Sequence, residues 1–257
     1  DDDSSNEKHD SPTADLSSLV MTDIESEDKA FNDKVSLPEI DSPEVKKTSF
    51  AGLHNINLEI NKGEFIVVTG SIGSGKSSLL DAMAGLMKKT NGKVLADGEL
   101  LLCGYPWVQN ATIRDNIIFG LPYNEKKYYE VVSACSLLND FDQFTGGDMT
   151  EVGERGITLS GGQKARINLA RAIYADKDII LLDDVLSAVD AKVGRHIVNE
   201  CILGLLKHKT RIMATHQLSL IESANRMIFM NGDGSIDVGS TNELRERNVK
   251  LQGLLNF

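Results

Sequence analysis

Residues 65–86 read FIVVTGSIGSGKSSLLDAMAGL. The first five form a continuous β-rich run, as expected of a strand covered on both faces. The last part has the composition of a helix, predicted to run to about Leu86. Between them lie Gly70, Gly73 and Gly75, followed by Lys76 and Ser77. This order matches the phosphate-binding loop pattern in the context it needs. Its glycines let successive backbone N–H groups turn toward phosphate oxygens, and the helix start adds partial positive charge. Gly70, Ser71, Gly73, Ser74, Gly75, Lys76, Ser77 and Ser78 are the candidate nucleotide-binding residues. Lys76 would reach the β- and γ-phosphates, and the Ser77 hydroxyl would hold Mg²⁺. The plain alternative is a Gly-rich turn without ligand. The bare pattern arises by chance in roughly one chain in a hundred of this length, so the flanks decide for the nucleotide.

Outward from this stretch the pattern is that of an α/β sheet. LHNINLEI (53–60) alternates, with Ile56, Leu58 and Ile60 on one face. KVLADG and ELLLC predict two short strands, IILLD (179–183) a buried one and RIMAT (211–215) another. RMIFMN and SIDVG flank Gly232-Asp233-Gly234, a hairpin signal. Residues 124–139 have helical spacing, and a further helix is expected after Ser160, with Ile167, Ala170 and Ile173 inward. Strands alternating with helices imply a parallel sheet. Residues from about 123 to 172 predict helices without a clear strand, as an inserted helical subdomain would.

The 257 residues are 41% hydrophobic and 25% charged, which leaves room for a sizeable core. A net charge of −11 counts against nucleic acid as a partner, because tracking phosphates needs a basic excess. No run of apolar residues is long enough to span a bilayer, and no signal peptide opens the chain. Cys103, Cys135 and Cys201 are widely spaced and fit reduced thiols better than a disulfide framework. Residues 1–49 hold 14 acidic residues against five Lys, and three of the five Pro. That composition predicts a largely disordered acidic segment, with the folded domain over 50–257. Ser11-Pro12, Ser42-Pro43 and Lys46-Lys47-Thr48-Ser49 offer phosphorylation sites there, with solvated filler the simpler reading.

Asp183 closes the strand IILLD, where open α/β sheets bind ligands and where phosphate-loop proteins reach Mg²⁺. Asp184 follows. It is a candidate catalytic base, one methylene shorter than Glu, and the missing reach of about 1.5 Å is large where misplacement costs about 10²-fold. Slow catalysis is the expectation. Ser160, Gly161, Gly162 and Gln163 open a second helix, a further helix-start anion site. One nucleotide would not occupy both sites within one chain, so Ser160–Gln163 are expected to serve a nucleotide held by another domain. A capped helix alone explains Ser160 and the glycines but leaves Gln163 unexplained.

These residues together resemble the nucleotide-binding domain of ATP-binding-cassette transporters. GSIGSGKS is similar to the Walker A loop, LSGGQ (159–163) to the signature motif and IILLD to the Walker B strand. Ser187-Ala188-Val189-Asp190 resembles the D-loop and His216 the switch histidine, a γ-phosphate sensor. WVQNATIRDNIIFG (107–120) is most similar to the first such domain of the C subfamily. The resemblance implies a P-loop ATPase core with a parallel sheet, a small antiparallel β part and an inserted α-helical subdomain. It implies ATP and Mg²⁺ as cofactors and a second nucleotide-binding domain as partner. Membrane-spanning domains would be contacted near Phe119, for which a core position is the competing reading. The expected activity is an ATPase powering export of xenobiotic or amphipathic compounds from the cytosolic face of a membrane, the plasma membrane in particular. An ATP-gated dimerisation module with negligible hydrolysis is the alternative. A soluble cassette protein of chromosome or translation type is disfavoured by the lack of heptad arms. Two departures stand out. The subfamily's Q-loop glutamine position reads Gly104, with Gln109 five residues late. No adenine-stacking aromatic lies about 25 residues ahead of the loop, around Val45; Phe50 is a candidate but close to the loop, and the first strand with its aromatic is expected to precede residue 1.

Overall fold

In the computed structural model, the described residues are 18–26, 52–153 and 157–255. Strands β2 (Leu53–Asn61) and β3 (Phe65–Gly70) lead into the loop and helix α1 (Lys76–Met83). A six-stranded sheet follows the order β11-β10-β3-β9-β8-β5. Its remaining members are β5 (Leu100–Cys103), β8 (Ile179–Asp183), β9 (Thr210–Ala214), β10 (Arg226–Met230) and β11 (Ile236–Gly239). All pairings are parallel except the β10–β11 hairpin. Every residue of β3 and β9 is buried, as continuous apolar strands in a doubly covered sheet must be.

Alternate residues of these strands feed two separate cores. Phe65, Val67, Ile180 and Leu182 face the helices on one side. Ile66, Val68, Ile179 and Leu181 face α1 and a three-stranded antiparallel sheet on the other. That second sheet has the order β2-β1-β4, with β4 at Lys89–Ala96. Its middle strand, β1, is Ser18–Ser26.

This strand lies ahead of residue 50, where the sequence pattern places the start of the folded domain, and inside the segment expected to be largely disordered. Leu19 pairs with Ile60 and Ala96, and Met21 with Leu58 and Val94. Both side chains are fully buried. Backbone pairing on both edges compensates a composition too polar to predict order. The strand SLVMTDIES contains no aromatic residue. The disorder expected for residues 1–17 and 27–49, the phosphorylation candidates and Phe50 lie outside the described residues.

The predicted helical stretch contains α3 (Glu125–Ala134), α4 (Leu138–Gln143) and α5 (Gly161–Tyr174). It is not free of strand. β7 (Glu151–Val152) pairs with β6 (Ala111–Thr112), just ahead of α2 (Ile113–Ile118). Helix α1 ends at Met83, short of Leu86, because Gly85 takes φ 75° and the Leu86 N–H donates to the Asp81 carbonyl at 2.8 Å. This is a Schellman stop. Helix α6 (Ala191–His196) continues as π-helical turns over Ile197–Leu205, and α7 (Thr241–Arg247) and α8 (Val249–Leu255) close the order. No helix among the described residues is long and apolar enough to cross a membrane.

Because Met21 fills the centre of the antiparallel sheet, Met21→Ala is expected to lower unfolding free energy by about 2–5 kcal/mol. Urea denaturation of the whole chain measures this. An unchanged midpoint would return residues 18–26 to the disordered class.

Candidate functional site

Strand order creates the site. β9 lies between β3 and β8, with Val68 and Asp183 both in register with Ala214. The carboxyl ends of three neighbouring strands therefore deliver the loop after Gly70, Asp183 and His216 to one edge of the sheet. A cleft of about 360 Å³ there is lined by Gly73, Gly75, Lys76, Ser77, Ser78, Asp183, Asp184 and His216. Gly70, Ser71 and Ser74 belong to the same loop but do not line the cleft themselves.

The loop has the properties of an anion cradle. Gly73 and Gly75 take φ 76° and 99°, the left-handed region that turns consecutive N–H groups the same way. The start of α1 carries no side-chain cap and no acidic residue in its first turn. Its positive end thus has no counter-charge from its own turn. Ser74 Oγ is buried and unpartnered in this same loop. The Lys76 ammonium donates to the carbonyls of Gly70 at 3.2 Å and Ser71 at 3.0 Å. Burial pulls it below its ordinary pKa, and the carboxylates of Asp184 and Asp183 oppose that pull. Ser77 and Asp183 both line the cleft and offer hard oxygen donors of the kind Mg²⁺ takes. The residues present fit a nucleoside triphosphate with Mg²⁺.

Asp184 takes φ 48°, a left-handed conformation that Asp tolerates better than most residues. Its N–H donates to the Ala214 carbonyl at 3.0 Å, and its own carbonyl accepts from the Ser187 N–H and hydroxyl. The turn that follows brings Ala188 against α5, and Asp190 caps α6 through the N–H groups of Lys192 and Val193.

Ser160–Gln163 do not line the Lys76 cleft. Ser160 caps α5 in a capping box: its Oγ accepts from the Gln163 N–H, and Gln163 Oε1 accepts from the Ser160 N–H at 2.9 Å. Gln163 Nε2 also donates to Asp140 at 2.9 Å, and Asp140 pairs with Arg166 at 2.6 Å. The capped helix therefore does account for Gln163, which corrects the expectation that it does not. Gly162 is needed for close approach, since a Cβ there would lie 2.9 Å from the Ala188 carbonyl oxygen.

Gly104 follows β5 directly, and a Cβ on it would sit 3.9 Å from Asp183 Cβ. A longer side chain at 104 would start beside Asp183. Gln109 is no substitute there. Its exposed side chain lies outside the cleft, and its backbone is clamped by Asn116 through bonds of 2.9 and 3.0 Å. Phe119 is 48% exposed, not a core residue, and meets Trp107 edge to face at 5.4 Å. At φ 44° it sits in a region that costs a bulky residue about 1–3 kcal/mol. Sequence reasoning missed the buried polar residues Asn116, Asn168 and Arg171 beneath this pair. A charged residue one step off an apolar helical stripe reads as surface, and only the packing shows otherwise.

Fold and cleft define a phosphate-loop nucleotide-binding α/β domain with a helical subdomain. Residues 53–187 match the ABC transporter family profile. The Saccharomyces cerevisiae oligomycin resistance ATP-dependent permease YOR1 is 63% identical over 222 residues, 86% of this chain and 15% of the permease. The ABC-type transporter cicA of Emericella nidulans is 49% identical over 79% of the chain and 15% of its own length. Human ATP-binding cassette sub-family C member 2 is 46% identical over 76% and 13%. The chain belongs to the ABC transporter family and is similar to the ATP-binding domain of its C-type members. It spans about 15% of the length of these relatives.

Gly162→Ala is expected to displace the 187–190 turn and destabilise the domain by about 1–3 kcal/mol. Thermal unfolding of the two proteins checks this, and equal midpoints would contradict the close approach.

Proposed function

We propose that this chain is the ATP-binding and ATP-hydrolysing domain of an exporter of xenobiotic or amphipathic compounds, working at the cytosolic face of the plasma membrane. The observation that carries the reading is the separation of two glycine-bearing helix starts, α1 uncapped and α5 closed by its own Ser160 and Gln163. Lys76, Ser77, Asp183, Asp184 and His216 share one cleft, while Ser160–Gln163 lie outside it. A second nucleotide-binding domain would bring its own signature helix to the Lys76 cleft, and Ser160–Gln163 here would serve the partner's nucleotide. Phe119 and Trp107, both half-exposed, offer the surface for the membrane-spanning part.

Within the Lys76 cleft, loop amides and the ammonium would bind the β- and γ-phosphates, and Ser77 and Asp183 would hold Mg²⁺. When bound, Mg²⁺ neutralises charge developing on the transferred phosphoryl group. Asp184 would orient the attacking water and His216 would donate a hydrogen bond to the γ-phosphate. Asp184 stops about one C–C bond, 1.5 Å, short of a Glu carboxylate, and no side chain extends from Gly104. Both features favour slow turnover at this site. Carried further, they favour the alternative of ATP-gated dimerisation with negligible hydrolysis.

Lys76→Ala should weaken ATP binding at least about 100-fold (roughly 2.7 kcal/mol), read by equilibrium dialysis; retained affinity would contradict the loop assignment. Asp184→Glu should raise ATP turnover by about 10- to 100-fold in a phosphate-release assay. An unchanged slow rate would show that the length of residue 184 does not limit the site.

A further inference from the structure

Arg171 is 8% exposed, on α5, among apolar neighbours. Its fork donates only to neutral oxygens: the Asn116 carbonyl at 2.6 Å, Asn116 Oδ1 at 3.1 Å, the Trp107 carbonyl at 3.1 Å and Asn168 Oδ1 at 3.2 Å. No carboxylate among the described residues pairs with it, and burial pulls the guanidinium below its ordinary pKa. A buried cation without counter-charge is a poor way to gain stability, because an apolar side chain of similar size would pack there at lower desolvation cost.

What the guanidinium does is join two places. On one side its plane lies over the Trp107 ring at 3.9 Å and near the Phe119 ring at 5.2 Å. Those are the half-exposed aromatics of the surface patch. On the other side it holds the amide of Asn168. Asn168 Nδ2 donates to the Gly104 carbonyl at 3.2 Å and to Cys103 Sγ at 3.4 Å. Gly104 is the residue whose missing Cβ would face Asp183. Directional contacts therefore run from Gly104, which neighbours the cleft residue Asp183, to the half-exposed aromatic pair. A lysine could keep the charge but not the several simultaneous bonds of a planar fork.

We propose that Arg171, through Asn168, is a positioning residue that carries the state of the Asp183–Gly104 wall to the Trp107–Phe119 surface. Nucleotide binding beside Asp183 shifts the Gly104 carbonyl, the Asn168 amide follows, and the guanidinium moves against the two rings. This inference rests on the nucleotide reading above, and the two can fail separately.

Trp107 is the one tryptophan of the chain, so its fluorescence reports this junction alone. The experiment titrates the whole chain with ATP and Mg²⁺, following tryptophan emission, while equilibrium dialysis with radiolabelled ATP measures binding independently. The variants are Arg171→Lys and Asn168→Ala, each checked for folding by far-UV circular dichroism. Asn168→Ala leaves the ring stack in place, so it decides the matter if Arg171→Lys does not fold. Wild-type emission should change with the midpoint of ATP binding. Both variants should bind ATP within about fivefold of wild type and lose most of the emission change. ATP binding to wild type without an emission change overturns the proposal, and so does a full emission change in Asn168→Ala. Failure of wild type to bind ATP in dialysis removes the nucleotide reading itself, a result seen without any fluorescence.

Discussion

Three parallel strands must end at the same level for this site to exist. β3, β9 and β8 are neighbours, and the register that aligns Val68, Ala214 and Asp183 leaves no freedom in where the loop, the carboxylate and His216 emerge. Side chains alternate across a strand, so a one-residue slip would send Asp183 to the opposite face. The site is thus held by burial of β3, β8 and β9 between two cores more than by any bond within the cleft itself. The second core is completed by the antiparallel sheet through Leu19 and Met21.

Polar fastening takes over where the apolar layers end. Arg226 and Glu64 pair at 2.5 Å beside the start of β3, and the guanidinium holds the Glu64 carboxyl below its usual range against the effect of burial. Asp140, Arg166 and Gln163 tie the start of α5 to α4. Arg166 also donates to the Ser136 carbonyl. Asn116 and Arg171 fix the segment between Gly104 and Phe119. The networks around Asp140 and Arg171 order a helix start and a loop that face a proposed partner, which fits placing precise geometry on rigid elements.

Most of the parallel sheet and the Lys76 cleft was legible because the signals were local. A buried run, a glycine-rich turn and a helix need only about twenty residues to declare themselves. The β1 strand was not legible. Its nine residues lie in a segment dominated by Asp, Glu and Ser, and its order comes from pairing with β2 and β4, distant in sequence. The capping role of Gln163 was not legible because a capping box and a ligand-facing glutamine share one pattern, S-x-x-Q. Arg171 escaped notice because burial of a charge is a property of packing, invisible to helical periodicity.

At the centre stands the claim that main-chain amides of residues 70–78 grip a triphosphate beside Asp183. Backbone amide shifts of the ¹⁵N-labelled chain, recorded before and after adding ATP and Mg²⁺, test it most directly. The account predicts the largest shifts at Gly73, Gly75, Lys76 and Ser77, with Asp183, Asp184 and His216 following. Shifts confined to other residues, with these seven unmoved, would contradict it.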